Sequence, residues 1–225
     1  MPTYNRSNSI EKRIQMILNQ TYTNWVLLII DDGSLIEHKK QIDILKNKYS
    51  TNNKILFLEN EENLYISKTL NKGIQYLIDD NTFTHFTWIS DDNNYYPNFL
   101  HYLQYNNEWF SYSYYHIHEV NNTRSLNTRA YINLQDLLSN FNGCASFMWT
   151  RDAILQIGFY NEFLWGCEDY EYLLRTFELN ANKCTHRQRS LMMYIRHDGS
   201  QMEQNRNEII KLKNQIIQKY VLNDA

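Results

Sequence analysis

The stretch Trp25-Val26-Leu27-Leu28-Ile29-Ile30, followed directly by Asp31-Asp32-Gly33-Ser34, decides the fold class of this sequence. A continuous apolar run of this length that ends in turn-forming polar residues is typical of a strand buried on both faces of a parallel sheet. Segments with the apolar spacing of a helix lie on both sides of it, at 10–18 and at 36–49. The order of these segments predicts an α/β protein.

The alternation of helices and strands continues as far as residue 89. Strands are predicted at 54–59 and 86–89, and a helix with one apolar face is predicted between them at 66–77. We therefore expect a single Rossmann-like domain in which helices flank a mostly parallel central sheet. Such sheets bind ligands beyond the carboxyl ends of their strands, which is where Asp31-Asp32 and Asp91-Asp92 both fall.

The pattern is less regular in the second half of the chain, which ends in an amphipathic tail. Apolar side chains recur on one helical face at 203–222, which favours packing of this helix on its own domain. A homodimer contact, or docking on a membrane surface through Lys211, Lys213 and Lys219, is the alternative. The other predicted elements are an extended segment at 110–120, a helix at 133–139, a strand at 145–149, a helix at 168–179 and an extended segment at 191–196.

The amino-acid composition and net charge of the chain exclude some classes of function. The chain has 225 residues, 43% of them hydrophobic and 21% charged, which suits one globular domain. Its net charge of −3 argues against a nucleic-acid partner, so phosphate groups would need a local site or a metal ion. No apolar run has the length of a transmembrane helix, and the three cysteines lack paired spacing. We expect reduced thiols and a cytoplasmic location, that of a host cell if the gene is viral.

Two adjacent pairs of aspartates are candidate ligand sites. Asp91-Asp92 offers the hard oxygen ligands that magnesium and manganese prefer, and such ions bind through one or two carboxylates plus substrate phosphates. The alternative for this pair is a solvated acidic turn before Pro97. A carboxylate of Asp31-Asp32 could accept the ring N–H of a uracil or a ribose hydroxyl, or the pair could simply end the strand.

A second group of candidates lies late in the chain. Glu168-Asp169 opens a predicted helix, where the helix dipole stabilises carboxylates, but one of them could also act as a general base toward an acceptor hydroxyl. His197 follows a predicted strand and is either an ordinary surface residue or a third protein ligand to manganese. Each of these short signals is weak when it is taken alone.

The order of the short segments is more specific than any one of them. They are Pro2-Thr3-Tyr4-Asn5-Arg6, Asp31-Asp32-Gly33-Ser34, Asn63-Leu64-Tyr65, Leu70-Asn71-Lys72-Gly73, Ile89-Ser90-Asp91-Asp92-Asn93, Gly143-Cys144-Ala145-Ser146, Gly158-Phe159-Tyr160-Asn161-Glu162 and Trp165-Gly166-Cys167-Glu168-Asp169-Tyr170-Glu171. In this order they resemble the family 2 glycosyltransferases with the GT-A fold, over residues 2–200. The Ser-Asp-Asp-Asn sequence is most similar to the spore-coat polysaccharide glycosyltransferase type.

The resemblance implies an activity and its cofactor. A sugar would pass, with inversion, from a nucleotide-sugar donor, UDP-linked by the family's preference, to a hydroxyl of a glycan, glycoprotein or lipid-linked acceptor. Manganese or magnesium would be the cofactor. Within a GT-A domain at 1–200, residues 1–100 would bind the nucleotide and residues 101–200 the acceptor, with the helix at 201–225 packed on the domain.

The resemblance also implies roles for individual residues. Asp169 would be the catalytic base, oriented by Glu168. Asp92 would ligate the metal, and His197 matches a histidine that some relatives have near the metal. The residues with implied nucleotide contacts are Thr3, Tyr4, Arg6, Asp31, Asp32 and Asp91, of which Tyr4 would flank a uracil and Asp32 would bind it.

Two positions depart from the family pattern. Ser90 stands at the first position of the metal-binding "DxD" segment, so Asp91 and Asp92 are its remaining acidic candidates. The family also places an apolar strand before the Pro-Thr-Tyr-Asn segment, whereas Met1 directly precedes Pro2 here. We expect either that the sequence continues upstream or that the sheet lacks this strand.

Two rival functions fit an α/β sheet of this kind. A nucleotidyltransferase should carry a loop rich in glycine and basic residues after its first strand to hold a triphosphate, and the sequence has none. A degenerate, non-catalytic member that binds nucleotide or glycan stays open because of Ser90 and the absent strand.

Overall fold

Helices and strands alternate along the first half of the chain, as the sequence predicts. The computed structural model describes residues 1–119, 122–126, 130–196 and 205–223. The helices are α1 (Ser7–Leu18), α2 (Ile36–Lys48), α3 (Tyr65–Ile78), α4 (Phe99–Leu103), α5 (Leu134–Asn140), α6 (Arg151–Ile157), α7 (Glu168–Asn180) and α8 (Arg206–Asn223). The strands are β1 (Pro2–Thr3), β2 (Leu27–Asp31), β3 (Ile55–Glu59), β4 (His85–Phe86), β5 (Asn94–Tyr95), β6 (Phe110–Glu119), β7 (Asn122–Leu126), β8 (Phe147–Thr150) and β9 (Cys184–Ile195).

The apolar run that decides the fold class forms β2, and all five of its residues are buried. It pairs in parallel with β3, with Leu27 opposite Ile55. On its other side β1 is also parallel but contributes only Pro2 and Thr3 to the ladder. The predicted α/β class with a parallel sheet is therefore confirmed, and the parallel sheet has the strand order β1-β2-β3.

The remaining strands form a second, mixed sheet of order β4-β8-β6-β9-β5, with β7 paired to β6. Its parallel pair is β6 with β9, while β4 pairs with β8 in the antiparallel sense. The predicted strand at 86–89 is therefore wrong in extent and direction, because only His85–Phe86 is extended and it joins this second sheet. An apolar run cannot distinguish a parallel strand from a segment that lines the core.

Two apolar cores lie on the two sides of the molecule. One contains the apolar faces of α1 and α2, with Ile10, Ile14 and Ile42 fully buried. The other gathers aromatic side chains of β6, β8 and α7. Ile209 and Ile216 of α8 are buried in this second core, so the C-terminal helix packs beside α7. Within the described ranges, no helix has both the length and the apolar character needed to cross a membrane.

A cavity of about 640 Å³ lies between β2 and the second sheet. Leu28, Gly73 and residues 86–89 line it. Met1 and Pro2 form part of its wall, and the Met1 amino group donates a hydrogen bond to the Leu28 carbonyl (2.7 Å).

Candidate active site

Residues 87–92 follow β4 and carry the predicted metal-binding aspartates. Asp91 is buried, and its Oδ2 accepts the hydroxyl of Thr3 (2.6 Å). The Asp92 carboxylate is half-buried, with Oδ1 accepting the hydroxyl of Ser90 (2.5 Å) and Oδ2 accepting Arg6 Nη1 (2.7 Å). The guanidinium of Arg13 donates to the main-chain carbonyl of Asp92. Both carboxylates are therefore held by donors from the protein itself.

The charges of this aspartate cluster nearly balance. Burial raises the pKa of Asp91 to about 6 against the hydrogen bond from Thr3, and the negative charge of Asp92 acts in the same direction as burial. The guanidinium charges of Arg6 and Arg13 oppose that rise. Two adjacent carboxylates thus face two cations, which is the compensation that like charges in a buried position require.

The aspartate cluster is a partial ligand set for a divalent ion. Its carboxylate oxygens are of the type that magnesium and manganese prefer, and Asp92 is the more accessible of the two. Among the described residues, no three His, Cys, Asp or Glu side chains gather closely enough to hold a metal ion. His197, the other predicted ligand, lies outside the described residues. The residues fit an ion that takes further oxygens from a substrate phosphate.

The aspartates at the end of β2 are bound within the protein. Asp32 is buried, and its Oδ1 accepts the Asn60 amide (2.7 Å), the Thr69 hydroxyl (2.7 Å) and the Leu64 N–H (2.9 Å). Asp31 is 1% exposed and accepts the Ser34 N–H (3.2 Å). Asp32 therefore joins β2 to the start of α3 and forms a fixed wall beside the sheet edge.

Gly33 and the loop at 3–6 complete this edge. Gly33 has a φ of +72°, and a Cβ there would lie 2.3 Å from the main-chain carbon of Glu62. Asn5 is bound to the loop after β2, because its N–H donates to Ser34 Oγ (2.9 Å) and its Oδ1 accepts the Leu35 N–H (2.8 Å). Next to Asn5, the ring of Tyr4 is 41% exposed and open to a ligand.

Asp169 lies at the start of α7 and is half-buried. Its Oδ1 accepts the indole N–H of Trp88 (3.2 Å) and the hydroxyl of Tyr160 (3.4 Å). Because Trp88 belongs to residues 87–92, one short segment connects Asp169 to the aspartate cluster. Through this segment, the structure links the predicted base to Asp92, the predicted metal ligand within the described residues.

The surroundings of Asp169 raise its affinity for a proton. Burial holds its pKa well above the ordinary value, and the charge of Glu168 acts in the same direction. The hydrogen bonds from Trp88 and Tyr160 oppose that rise, because they stabilise the anion. Glu168 is itself buried, its pKa is raised by burial, and its Oε2 lacks a hydrogen-bond partner among the described residues. Orientation of Asp169 thus comes from Trp88 and Tyr160, while Glu168 acts through its charge.

The loop before α7 is fixed from two sides. The side chain of Asn71 in α3 accepts the Tyr160 N–H (2.8 Å) and donates to the Tyr160 carbonyl (2.9 Å), so that it holds Tyr160 in place. On the other side Gly166 has a φ of +72°, and a Cβ there would come within 2.7 Å of Ile209 in α8. Substitution of either residue would displace the base without touching it.

Four residues of the site have no predicted role in the sequence. Trp88 and Tyr160 orient Asp169, Asn71 holds Tyr160, and Arg13 binds the main chain at Asp92. The sequence does mark Arg13 as unusual, because it interrupts the apolar face of α1. In the structure its side chain is buried. A cation inside an apolar stripe requires an anionic or carbonyl partner. The roles of the other three depend on contacts between distant segments, which have no local pattern.

Solved structures of similar fold include three proteins with low sequence identity. S. aureus TarS 1–349 matches with a TM-score of 0.68 at 14% identity, over 96% of this chain and 63% of that one. The mannosyltransferase PcManGT from Pyrobaculum calidifontis, solved with GDP-Man and Mn²⁺, matches with a TM-score of 0.66 at 11% identity, over 100% of this chain and 63% of that one. GalNAc-T7, solved with UDP, GalNAc and Mn²⁺, matches with a TM-score of 0.61 at 12% identity, over 84% and 41%. These similarities show the GT-A fold.

Curated relatives match the chain over shorter stretches. The bifunctional glycosyltransferase pgtA of Dictyostelium discoideum is 41% identical over 71 residues, which is 32% of this chain and 9% of that protein. An uncharacterized glycosyltransferase of Rickettsia prowazekii is 33% identical over 98 residues, 44% of this chain and 27% of the relative. The chain thus matches under a third of the length of either relative.

The family itself is identified over most of the chain. Residues 1–159, which include both aspartate pairs, match the sequence profile described as "Glycosyl transferase family 2". This range contains the segments of the resemblance up to Phe159, whereas the segment Trp165–Glu171, which carries Glu168 and Asp169, lies beyond it. The chain therefore belongs to glycosyl transferase family 2.

Proposed function

We propose that this chain is an inverting glycosyltransferase that moves a sugar from a UDP-linked donor to a hydroxyl group, with Asp169 as general base. The acceptor would be a glycan, a glycoprotein or a lipid-linked sugar. The observation that carries the proposal is the half-buried Asp169 carboxylate, which Trp88 and Tyr160 orient beside the segment that bears Asp91 and Asp92.

Asp169 has the properties that a general base needs. A partly buried carboxylate beside another carboxyl group binds a proton more tightly than a solvated one. It can therefore accept the proton of an attacking hydroxyl. The hydroxyl would attack the anomeric carbon from the face opposite the leaving diphosphate, which inverts its configuration in one step. The donors Trp88 and Tyr160 fix one carboxylate oxygen during this step.

The donor nucleotide would lie along the edge formed by the ends of β1 and β2. Tyr4 would flank the base with its exposed ring, and Asp32 would bind it with support from Asp31. Thr3, Arg6 and Asp91 would lie near the ribose and phosphates. The UDP in GalNAc-T7 and the GDP-Man in PcManGT support a nucleotide-linked donor, and of the two nucleotides we propose UDP. The similarity of Ser90–Asn93 to the spore-coat type stays a prediction.

A divalent ion would be held chiefly by Asp92, with Asp91 ordering its surroundings and His197 as a further candidate ligand. Bound manganese or magnesium would neutralise the charge that develops on the leaving diphosphate, which contributes several kcal/mol in such reactions. The Mn²⁺ in both PcManGT and GalNAc-T7 supports this cofactor.

One observation favours a second candidate, a non-catalytic binding module of the same fold. Arg6 already neutralises Asp92, and within the described ranges no three potential ligands gather as a metal site. The two functions are separated by titrating UDP with and without Mn²⁺ and then following the slow hydrolysis of UDP-sugars. Binding without hydrolysis or transfer would favour the module.

We predict that a donor is identified by thermal unfolding in a panel of nucleotide sugars with Mn²⁺. A ligand that binds only the folded state at 100 times its Kd stabilises it by about 2.7 kcal/mol, which raises Tm by roughly 5–10 °C for a chain of this size. UDP-sugars should give the largest shift, and ADP-ribose with Mn²⁺ is the control. Equal shifts for all nucleotides, or none, would contradict a UDP-sugar site.

We predict that Asp169→Asn lowers the transfer rate by about 10²–10⁴-fold while leaving UDP binding within about twofold, because the amide keeps an oxygen for Trp88 and Tyr160 but cannot take a proton. Product formation from a UDP-sugar and the Kd of UDP are the measurements. Asp152→Asn is the matched control, since Asp152 is an exposed aspartate in the first turn of α6. Undiminished transfer by Asp169→Asn would remove the base assignment.

The same substitution has a predicted effect on stability that depends on pH. The pKa of Asp169 is raised in the folded state, so folding is unaffected at a pH below the unfolded value of about 4 and is disfavoured as pH rises through the folded value. Asp169→Asn removes this pH-dependent loss of stability. The Tm of the variant should exceed that of the native chain by on the order of 2–4 °C at pH 8, and the two Tm values should be equal at pH 4. A Tm difference that does not change with pH would show that the carboxylate is not desolvated.

A further inference from the structure

We propose that Arg6 is a resident counter-ion of Asp92, which keeps a divalent metal from binding alone and releases the carboxylate when a nucleoside diphosphate arrives. The inference rests on the proposed function, because it concerns the order in which the metal and the donor bind at the same site. The family resemblance implies only that Arg6 contacts the nucleotide. The inference adds a role in controlling metal binding to Asp92.

Arg6 lies on one of the two Asp92 oxygens that a metal ion can use. Its Nη1 lies 2.7 Å from Asp92 Oδ2, while the hydroxyl of Ser90 holds Oδ1 at 2.5 Å. The hydroxyl is neutral and can turn, but the guanidinium is a fixed positive charge. A divalent ion bound to Asp92 would lie close to this charge, and the repulsion between the two cations weakens its binding.

The main chain of Arg6 is fixed, whereas its side chain is partly exposed. Its carbonyl accepts the N–H (3.0 Å) and the hydroxyl (2.8 Å) of Ser9 in the first turn of α1. The side chain is 32% exposed, so a bound nucleotide can reach its guanidinium. Arg13 differs in both respects, because it is buried and binds the main chain at Asp92.

Charge balance sets the direction of the exchange. Without ligand, the carboxylates of Asp91 and Asp92 face the guanidiniums of Arg6 and Arg13. A metal ion alone would add two positive charges next to these guanidiniums, whereas a metal bound to a nucleoside diphosphate adds little net charge. The phosphates also give the displaced Arg6 an anionic partner, for which a guanidinium is well suited.

Arg6→Gln should therefore change the affinities for metal and nucleotide in opposite directions. Mn²⁺ alone should bind about three- to tenfold more tightly, as expected from removing a half-exposed ion pair and one nearby cation. UDP in the presence of Mn²⁺ should bind about three- to tenfold more weakly, because the phosphates lose that cation. A residue with a merely structural role would move both affinities in the same direction.

The experiment is a Mn²⁺ titration in which the free ion is measured by electron paramagnetic resonance, with and without UDP. Arg6→Lys, which keeps the charge, should stay within about threefold of the native chain in both titrations. Lys48→Gln is the matched control, because it removes one positive charge from an exposed ion pair with Glu11 on α1. Thermal unfolding without ligand checks that the Arg6 variants fold, with Tm values expected within about 3 °C.

The outcomes separate this inference from the proposed function. Opposite shifts in Arg6→Gln support it, and an unchanged or weakened affinity for Mn²⁺ alone overturns it. If the native chain binds UDP, an equal Mn²⁺ affinity with and without UDP also overturns it. If Mn²⁺ alone binds more tightly to Arg6→Gln but no variant binds UDP, the counter-ion role stands and the nucleotide-sugar function fails.

Discussion

The adjacent carboxylates of Asp91 and Asp92 impose the constraint on which this site depends. Like charges that are partly withdrawn from water need donors or cations nearby. Their partners Thr3, Arg6 and Arg13 all come from the first 13 residues of the chain, whereas the carboxylates follow β4, far along the sequence. These contacts therefore attach β1 and α1 to residues 87–92. The same contacts shape the edge of the sheet that we propose as the ligand site.

Residues 87–92 extend this coupling to the other side of the molecule. Trp88 reaches Asp169 at the start of α7, and the hydroxyl of Thr87 donates to the Phe147 carbonyl of β8 (2.6 Å). One short segment thus contacts the N-terminal loop, the second sheet and the helix that carries Asp169. The segment forms no strand over most of its length, because its hydrogen bonds go to these separate partners instead of to one neighbouring ladder.

The sequence predicts the elements whose signals are local. The buried run at β2 and the apolar faces of α1 and α3 are found in the structure, as are the helices at α5 and α7. It does not predict that residues 86–89 leave the parallel sheet, since His85–Phe86 pairs with β8, a strand that is distant along the chain. The full length of β9 was also beyond the local pattern, because bulges in its pairing with β6 and its half-buried residues interrupt the alternation. Likewise, the sequence shows the acidic residues of the site as adjacent pairs. It does not predict their contacts with Trp88, Tyr160 and Arg13, which come from distant segments of the chain.

Both charged centres of the site have partners within the protein that a ligand could replace. Asp169 is destabilised as an anion by burial and by Glu168, and Asp92 is stabilised by a cation that belongs to the protein. Under the proposed function, a neutral acceptor hydroxyl near Asp169 would bring a proton to a group whose affinity for it is already raised. A metal–nucleotide complex near Asp92 would bring its own cation, and its phosphates would become the new partners of Arg6. Such binding would exchange the partners of existing charges and would reduce the desolvation penalty that a bare ion meets.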